Sequence, residues 1–390
     1  MASEAFPART SPGRPAWVDP LLTQVLAVAL AFVFAAAVGS IIILLYRESP
    51  LFTYETIWRF GTNRPQDFAR VLENATPLIF SGLAVAVAFK AGMFNIGVEG
   101  QYIVGMAAAA VTALAVDFLP APILLPVVVL ASAAGALAWA AVPAVLKVRT
   151  GAHEVVTTIM MNGIAGSLVA WLLLHPLRTS DTGLIDLRTD IFTRAALVPG
   201  IAQTFGIQEQ IPPSVHLSWL FPAGLLAAVC VWFLLKRTRL GYEARAVGSS
   251  PSSAEAGGVG IGRIQITMFL ISGALAGFVG LNDLLATRGY LGSNYQTSLG
   301  FDGIAVAFLG RNNPFGIVLA AILIGLLNRG QDGVALLTDL PQEIIVILQG
   351  VLILSVVVAY EIVNRAAARR VQRITRSEEP SAGDLGKAAG

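Results

Sequence analysis

The sequence predicts an all-α, polytopic bundle of transmembrane helices with about ten spans, eight being the fallback count. Three observations predict it. Hydrophobic residues make up 55% of the 390 and charged residues 13%, whereas soluble domains run nearer a quarter charged. Apolar runs of bilayer-crossing length recur along the chain. Lysine and arginine divide unequally between alternate connections.

Taken in order, the apolar runs fall near 21–46, 75–89, 101–117, 122–146, 154–174, 217–235, 264–282, 298–310, 314–328 and 341–360. The first exceeds the ~7–15-residue core of a signal peptide and is assigned as an uncleaved span. A span needs roughly 20 apolar residues. The runs at 298–310 and 314–328 are short, and the first carries Asp302. Such segments persist at membrane depth when buried in protein or lining a cavity. Two five-span halves would have opposite orientations, which makes inverted repeats with broken helices a possible architecture.

Ten spans put both termini on one side. With that threading, 17 Lys and Arg lie on the terminal side and 9 on the other. The excess of basic residues marks the cytoplasm. Residues 1–20 are then a cytoplasmic segment, 21–363 the membrane domain and 364–390 a basic cytoplasmic tail expected to be disordered. The outer connection 175–215 is long and polar. The inner connection 236–262 is rich in Gly, Ser and Arg. A net charge of +2 gives no field that points to nucleic acid. Cys230 is the only cysteine, which excludes an internal disulfide and a thiolate cluster; it is assigned as a small apolar residue within a span.

Four interruptions of the apolar pattern could carry function. In Phe94-Asn95-Ile96-Gly97-Val98-Glu99-Gly100-Gln101, glycines permit a broken helix and Glu99 lies close to hydrocarbon. Glu99 is either a pore-side or gating group, or a structural hydrogen-bond knot that fixes the break. In the stretch from Gly151 to Asn162, Glu154 suits a helix N-terminus. His153-Glu154-Val155-Val156-Thr157 lacks the second histidine of a zinc motif. Thr157, Thr158, Asn162 and Ser167 give the span a polar side, facing either a pathway or other helices. From Gly241 to Gly262 the pattern suggests a helix over 241–247 ended by Gly248. Ser250 before Pro251 would cap a second helix over 251–257. The fourth, Gly300 to Pro314, places Asp302 in a short span. Asp302 is a substrate or coupling contact, or it pairs with Arg288; the pairing is preferred. The chain has no P-loop, no clustered metal ligands and no nucleophile elbow, so enzymatic activity and a bound cofactor are not expected.

Together FNIGVEGQ (94–101), GAHEVVTTIMMN (151–162), RAVGSSP (245–251) and GFDGIAVAFLGRNNPFG (300–316) resemble, in order, the motifs of the permease subunits of ABC importers for simple sugars and nucleosides, akin to ribose and branched-chain amino acid permeases. The likeness covers about residues 20–365 and is nearest the nucleoside type. It implies an inner-membrane importer subunit. An extracytoplasmic binding protein would deliver the solute, a second and different permease would complete the path, and separate ATPase subunits would drive it. By resemblance, Gly241, Tyr242, Arg245, Ala246, Gly248 and Pro251 form the ATPase-coupling segment. Ser250 stands where Asn is more usual in the family. Asn95, Glu99, Gln101, Asn162 and Asp302 are the candidates for path or gate. The alternative is a secondary transporter in which Glu99 and Asp302 couple to H⁺ or Na⁺. The partners expected are therefore the ATPase, the second permease, the binding protein and membrane lipid, with no nucleic acid.

The topology has a direct test. A fluorescent protein fused to the C-terminus is expected to fluoresce, and a periplasmic reporter phosphatase fused there to be inactive. The opposite pair of results would reverse the orientation.

Overall fold

The computed structural model describes residues 20–180, 186–206, 215–341, 343–356, 358–359 and 362. The segment 1–19, the whole basic tail 364–390 and the charged positions Asp181 and Glu209 of the outer connection lie outside these. The chain divides into two units, Glu48–Ile345 and a second made of Met1–Arg47 with Val346–Gly390. The second contains the 26-residue helix α1 (Pro20–Leu45) and most of α14 (Glu343–Val356).

The larger unit contains, in order, α2 (Pro50–Thr62), α3 (Pro65–Lys90), α4 (Val98–Ala115), α5 (Ala121–Thr150), α6 (Glu154–Leu174), the short α7 (Ile201–Thr204), α8 (Leu220–Arg237), α9 (Arg239–Ser249), α10 (Pro251–Ala256), α11 (Ile261–Ala276), a π-helical turn (Asn282–Arg288), α12 (Leu299–Leu309) and α13 (Pro314–Leu337). Among the described residues the only β pairing is two isolated bridges, Arg188 with Gly292 and Gly200 with Ser218.

Each of the ten apolar runs coincides with a helix: α1, α3 to α6, α8 and α11 to α14. Six of them are long and apolar enough to cross a membrane, namely α3, α4, α5, α6, α8 and α13, while α11, α12 and α14 are shorter apolar helices. The reading of 314–328 as short is corrected. α13 continues to Leu337 through Arg329 and Asp332. It can do so because Arg329 is paired, at 3.1 Å with Asp67 and at 2.7 Å with Asp332, and lies over the Phe60 ring. Charges at membrane depth are tolerated when matched in this way. The helix α2 was not expected. Its polar residues Glu55 and Arg59, paired at 3.2 Å, keep its hydropathy below that of a span.

At the centre lies α3, buried continuously from Ala75 to Ala88. It packs on α11, α12, α13 and α8. Two stretches share one pattern: a helix, an irregular break, a second helix, then a long helix. These are α3–α4–α5 and α11–α12–α13. The first helix of each packs on the last helix of the other, α3 on α13 and α11 on α5, and the two first helices pack on each other.

Small residues set these distances. Between lipid-embedded helices, where hydrophobic exclusion gives little drive, close backbone approach supplies the packing. A Cβ on Gly277 would sit 2.7 Å from both Ala133 Cα and the Ser132 carbonyl oxygen. At the same crossing the Ser132 hydroxyl donates to the Gly277 carbonyl at 2.7 Å. A Cβ on Gly325 would sit 2.6 Å from the Val71 carbonyl oxygen. Gly277→Ala is therefore expected to cost about 1–3 kcal/mol through overpacking. The same change at Gly163, which has open space around it, should be neutral or slightly stabilising. Thermal unfolding of the two purified variants in detergent tests the contrast.

Candidate functional site

The first break follows from its residue types. After α3 ends at Lys90, Gly92 takes a left-handed conformation (φ +71°) and turns the chain back. Asn95 Oδ1 then accepts the Gly97 amide at 2.9 Å, an Asx turn that seats the start of α4. The Asn95 amide nitrogen donates to Ser272 Oγ at 2.8 Å and to Gln101 Oε1 at 2.9 Å, and Gln101 returns a bond to Asn95 Oδ1 at 3.0 Å. Ser272 in turn donates to the Ala84 carbonyl at 2.6 Å. Asn95, Gln101 and Ser272 are buried, so this network ties the break to both α11 and α3. From α6, Asn162 clamps the turn on two sides. Its nitrogen donates to the Ile96 carbonyl at 3.0 Å and its oxygen accepts the Gly100 amide at 2.9 Å.

Glu99 joins this break to the second one. It is 7% exposed. One carboxylate oxygen accepts the Tyr102 hydroxyl at 2.9 Å and the Ser298 amide at 2.8 Å. The other accepts the Gly300 amide at 2.8 Å. Ser298 and Gly300 flank the first residue of α12, and Glu99 lies in the first turn of α4. The N-termini of two short helices therefore meet on one carboxylate. Each carries roughly half a positive charge, and each offers amide groups that no intrahelical carbonyl takes. Ser298 adopts φ +71°, a conformation rare outside glycine, and its amide is one of the Glu99 donors. A Cβ on Gly300 would collide with the Glu99 backbone at 2.4 Å. The α12 side is further held by Ser81, whose hydroxyl donates to the Leu299 carbonyl at 2.8 Å.

Asp302 sits in the first turn of α12, half-buried, without a hydrogen bond or ion pair among the described residues. The expected pairing with Arg288 is not formed. Arg288 binds Asp283 at 2.7 Å, because the π-helical turn brings residues five apart onto one side.

The third interruption forms a compact helical pair. Thr238 ends α8 and caps α9, accepting the Gly241 amide at 3.1 Å. Ser250 caps α10, accepting the Ser253 amide at 3.3 Å, with Pro251 as its first residue. A Cβ on Gly241 would meet the Leu234 carbonyl oxygen at 2.1 Å, and one on Gly248 would meet the Lys90 carbonyl oxygen at 2.4 Å. So α9 folds back on α8 and rests, through Gly248, on the end of α3, just before the break. Tyr242 and Pro251 are exposed, and Arg245 and Ala246 half-exposed. One Arg245 guanidinium nitrogen is buried without a partner. Lys236 and Arg245 bring like charge up to Lys90 at this end. Here too Phe89, Phe94 and Phe308 form a triangle of ring contacts, with centroids 6.3, 5.8 and 6.0 Å apart. It joins the ends of α3 and α12 across the break.

Of the residues singled out for a path or gate, Asn95, Glu99, Gln101 and Asn162 are thus brought together, and the 241–251 segment stands against the same break from outside. Ser81, Tyr102, Ser272 and Ser298, which complete the network, were not anticipated. Ser81 and Ser272 leave a signal as hydroxyls within otherwise apolar runs.

The family model described as "Branched-chain amino acid transport system / permease component" matches residues 68–357. The chain belongs to this permease family. The permease is similar to the guanosine ABC transporter permease protein NupP of Bacillus subtilis, 35% identical over 87% of this chain and 95% of that one. It also resembles the glucose ABC transporter permease protein TsgB13 of Haloferax volcanii, 32% identical over 89% of each chain. A third relative is the nucleoside ABC transporter permease protein NupB of Lactococcus lactis, 29% identical over 86% of this chain and 92% of its own. The permease is therefore a multi-pass membrane subunit of an ABC importer and not an enzyme. As such it works with ATPase and binding-protein partners. The ion-coupled alternative gains no support.

Glu99→Gln replaces one acceptor oxygen with a donor and leaves an amide at the start of α12 unpaired. It is expected to cost about 1–3 kcal/mol and to speed amide exchange at 298–302. Wild-type exchange in that segment would show that the carboxylate does not hold α12.

Proposed function

We propose that the permease carries nucleosides or simple sugars, that 241–251 receives the push of the ATPase, and that the two breaks form the gated part of the path. The observation that carries this reading is the seat of Gly248 on the end of α3. A force applied to α9 bears on Lys90 and Gly92, the residues from which the first break departs. The break is tied to α12 through Glu99, so the force has a continuous packed route to both short helices.

The rest of the arrangement follows from this reading. The recurring helix–break–helix–helix order and the reciprocal packing of α3 on α13 and α11 on α5 support two inverted halves within ten spans. The basic residues Lys90, Lys236 and Arg245 support a cytoplasmic position for the Gly248 seat, on the same side as both termini. The exposed Tyr242 and Pro251 and the half-exposed Arg245 and Ala246 supply the docking face for an ATPase. The solute class rests on the relatives, which are guanosine, nucleoside and glucose permeases. An extracytoplasmic binding protein would deliver the solute, and a second permease of a different chain would complete the path in the inner membrane.

Gly248→Leu tests the coupling. In the reconstituted importer it should lower solute uptake about tenfold or more, while the ATPase retains nucleotide binding. Tyr242→Ala, on the exposed face, should weaken ATPase attachment without unfolding the permease. Uptake that stays coupled to ATP hydrolysis in both variants would remove 241–251 from this role.

A further inference from the structure

A cavity of about 130 Å³ lies beside the second break. Its polar wall is formed by Glu73, Asn74, Asn282, Asp283, Thr287 and Gln296. The apolar part is Pro77, Val279 and Leu299. We propose that this cavity is the binding subsite for the sugar ring of the solute, a neutral polyhydroxylated ring; the proposal rests on the importer reading above and deepens it.

Size comes first. Pockets that enclose a drug-sized ligand run ~300–1,000 Å³. This one takes a single ring and leaves any attached base outside. Charge comes second. The lining holds two carboxylates and no lysine or arginine among the described residues. Asp283 is balanced by Arg288 at 2.7 Å, and Glu73 accepts the His216 amide at 3.0 Å. An anionic solute would find no lysine or arginine in the lining, and the charge of Arg288 beside it is already matched by Asp283. The carboxylate of an amino acid and a phosphate are both excluded on this ground.

Hydrogen-bonding capacity comes third. The side chains of Asn74 and Gln296 make no hydrogen bond among the described residues. Asn282 uses its oxygen to accept from Ser218 at 3.0 Å and keeps its amide hydrogens. Two amides with donor and acceptor both open, one further donor and the remaining carboxylate lone pairs match hydroxyl groups, each of which donates and accepts. No aromatic ring among the described residues lines the cavity, so a base has nothing to stack on there. The apolar residues suit the C–H face of a ring. Position comes last. The Gln296 carbonyl accepts the Tyr102 hydroxyl at 2.9 Å, and Tyr102 donates to Glu99. The cavity therefore abuts the knot that holds α12.

The test uses the whole importer, with its ATPase, partner permease and binding protein, in proteoliposomes. Asn74→Leu and Gln296→Ala are compared with wild type, Gln296 being exposed enough that folding is not at risk. Uptake of the nucleoside or sugar that wild type carries should fall about tenfold in Asn74→Leu, while capture by the binding protein is unchanged. Deoxy analogues that the binding protein still captures should enter wild type more slowly than the parent, because a site built to bond a hydroxyl rejects its absence. Asn74→Leu should lose that discrimination. Wild-type uptake with both variants unaffected would overturn the subsite and leave the importer reading standing. Uptake by wild type of an amino acid or an anion, and of no sugar or nucleoside, would overturn both.

Discussion

Everything in the larger unit is arranged around one buried carboxylate. Two short helices begin inside the protein, and the amide groups at their starts have no partner within either helix. Water could satisfy them at a surface, but at membrane depth each unsatisfied group costs several kcal/mol. Glu99 answers for α12 by accepting the Ser298 and Gly300 amides. Asn162 and Asn95 answer for α4 by accepting Gly100 and Gly97. The charge of Glu99 is itself offset by the positive ends of the helices it joins. Neither the carboxylate nor the breaks would be stable at this depth without the other.

That constraint explains the composition around it. Three polar side chains from three helices converge on residues 95–101, which is why Ser272, Gln101 and Asn162 appear within apolar sequence. The close approach of α12 to Glu99 leaves no room for a Cβ at Gly300. The fully buried stretch of α3 provides the wall against which α11, α12 and α13 are set. The polar groups are few, and every one that is fully buried in this network is bonded, as a low-dielectric interior requires.

Much of this was legible beforehand. All ten apolar runs fall on helices, because twenty-residue hydropathy is a local property. The α9–α10 pair was legible to within two residues, since Ser250-Pro251 is a local capping signal, but Gly248 does not end α9, which starts at Arg239 and runs on to Ser249. The interruption at 94–101 was visible as polar residues in the wrong place. What the chain hid was non-local. That Glu99 accepts from residues 298 and 300 is not readable from spacing. Arg288 was misassigned to Asp302 rather than Asp283 because a π-helical turn shifts the period from 3.6 to longer, and nothing in the local composition announces it. The length of α13 was underestimated because the charge of Arg329 is matched by Asp67, 262 residues away. The helix α2 escaped because an ion-paired amphipathic helix falls beneath a hydropathy threshold.

If 241–251 receives the push of an ATPase, as proposed, magnitudes indicate which contacts would yield first. Hydrogen bonds to a charged group contribute about 1.5–3 kcal/mol each, and Glu99 makes three. Opening the knot would therefore cost several kcal/mol and leave a charge without partners. The ring contacts among Phe89, Phe94 and Phe308 contribute about 0.5–1.5 kcal/mol per pair and need no compensating partner when parted. They lie at the end of the break nearest Gly248, where a push on α9 arrives first. Strain from that push would separate the phenylalanines well before it broke the carboxylate's bonds. On the proposed reading, α4 and α12 would travel as one body about Glu99, and the aromatic triangle would be the part that opens.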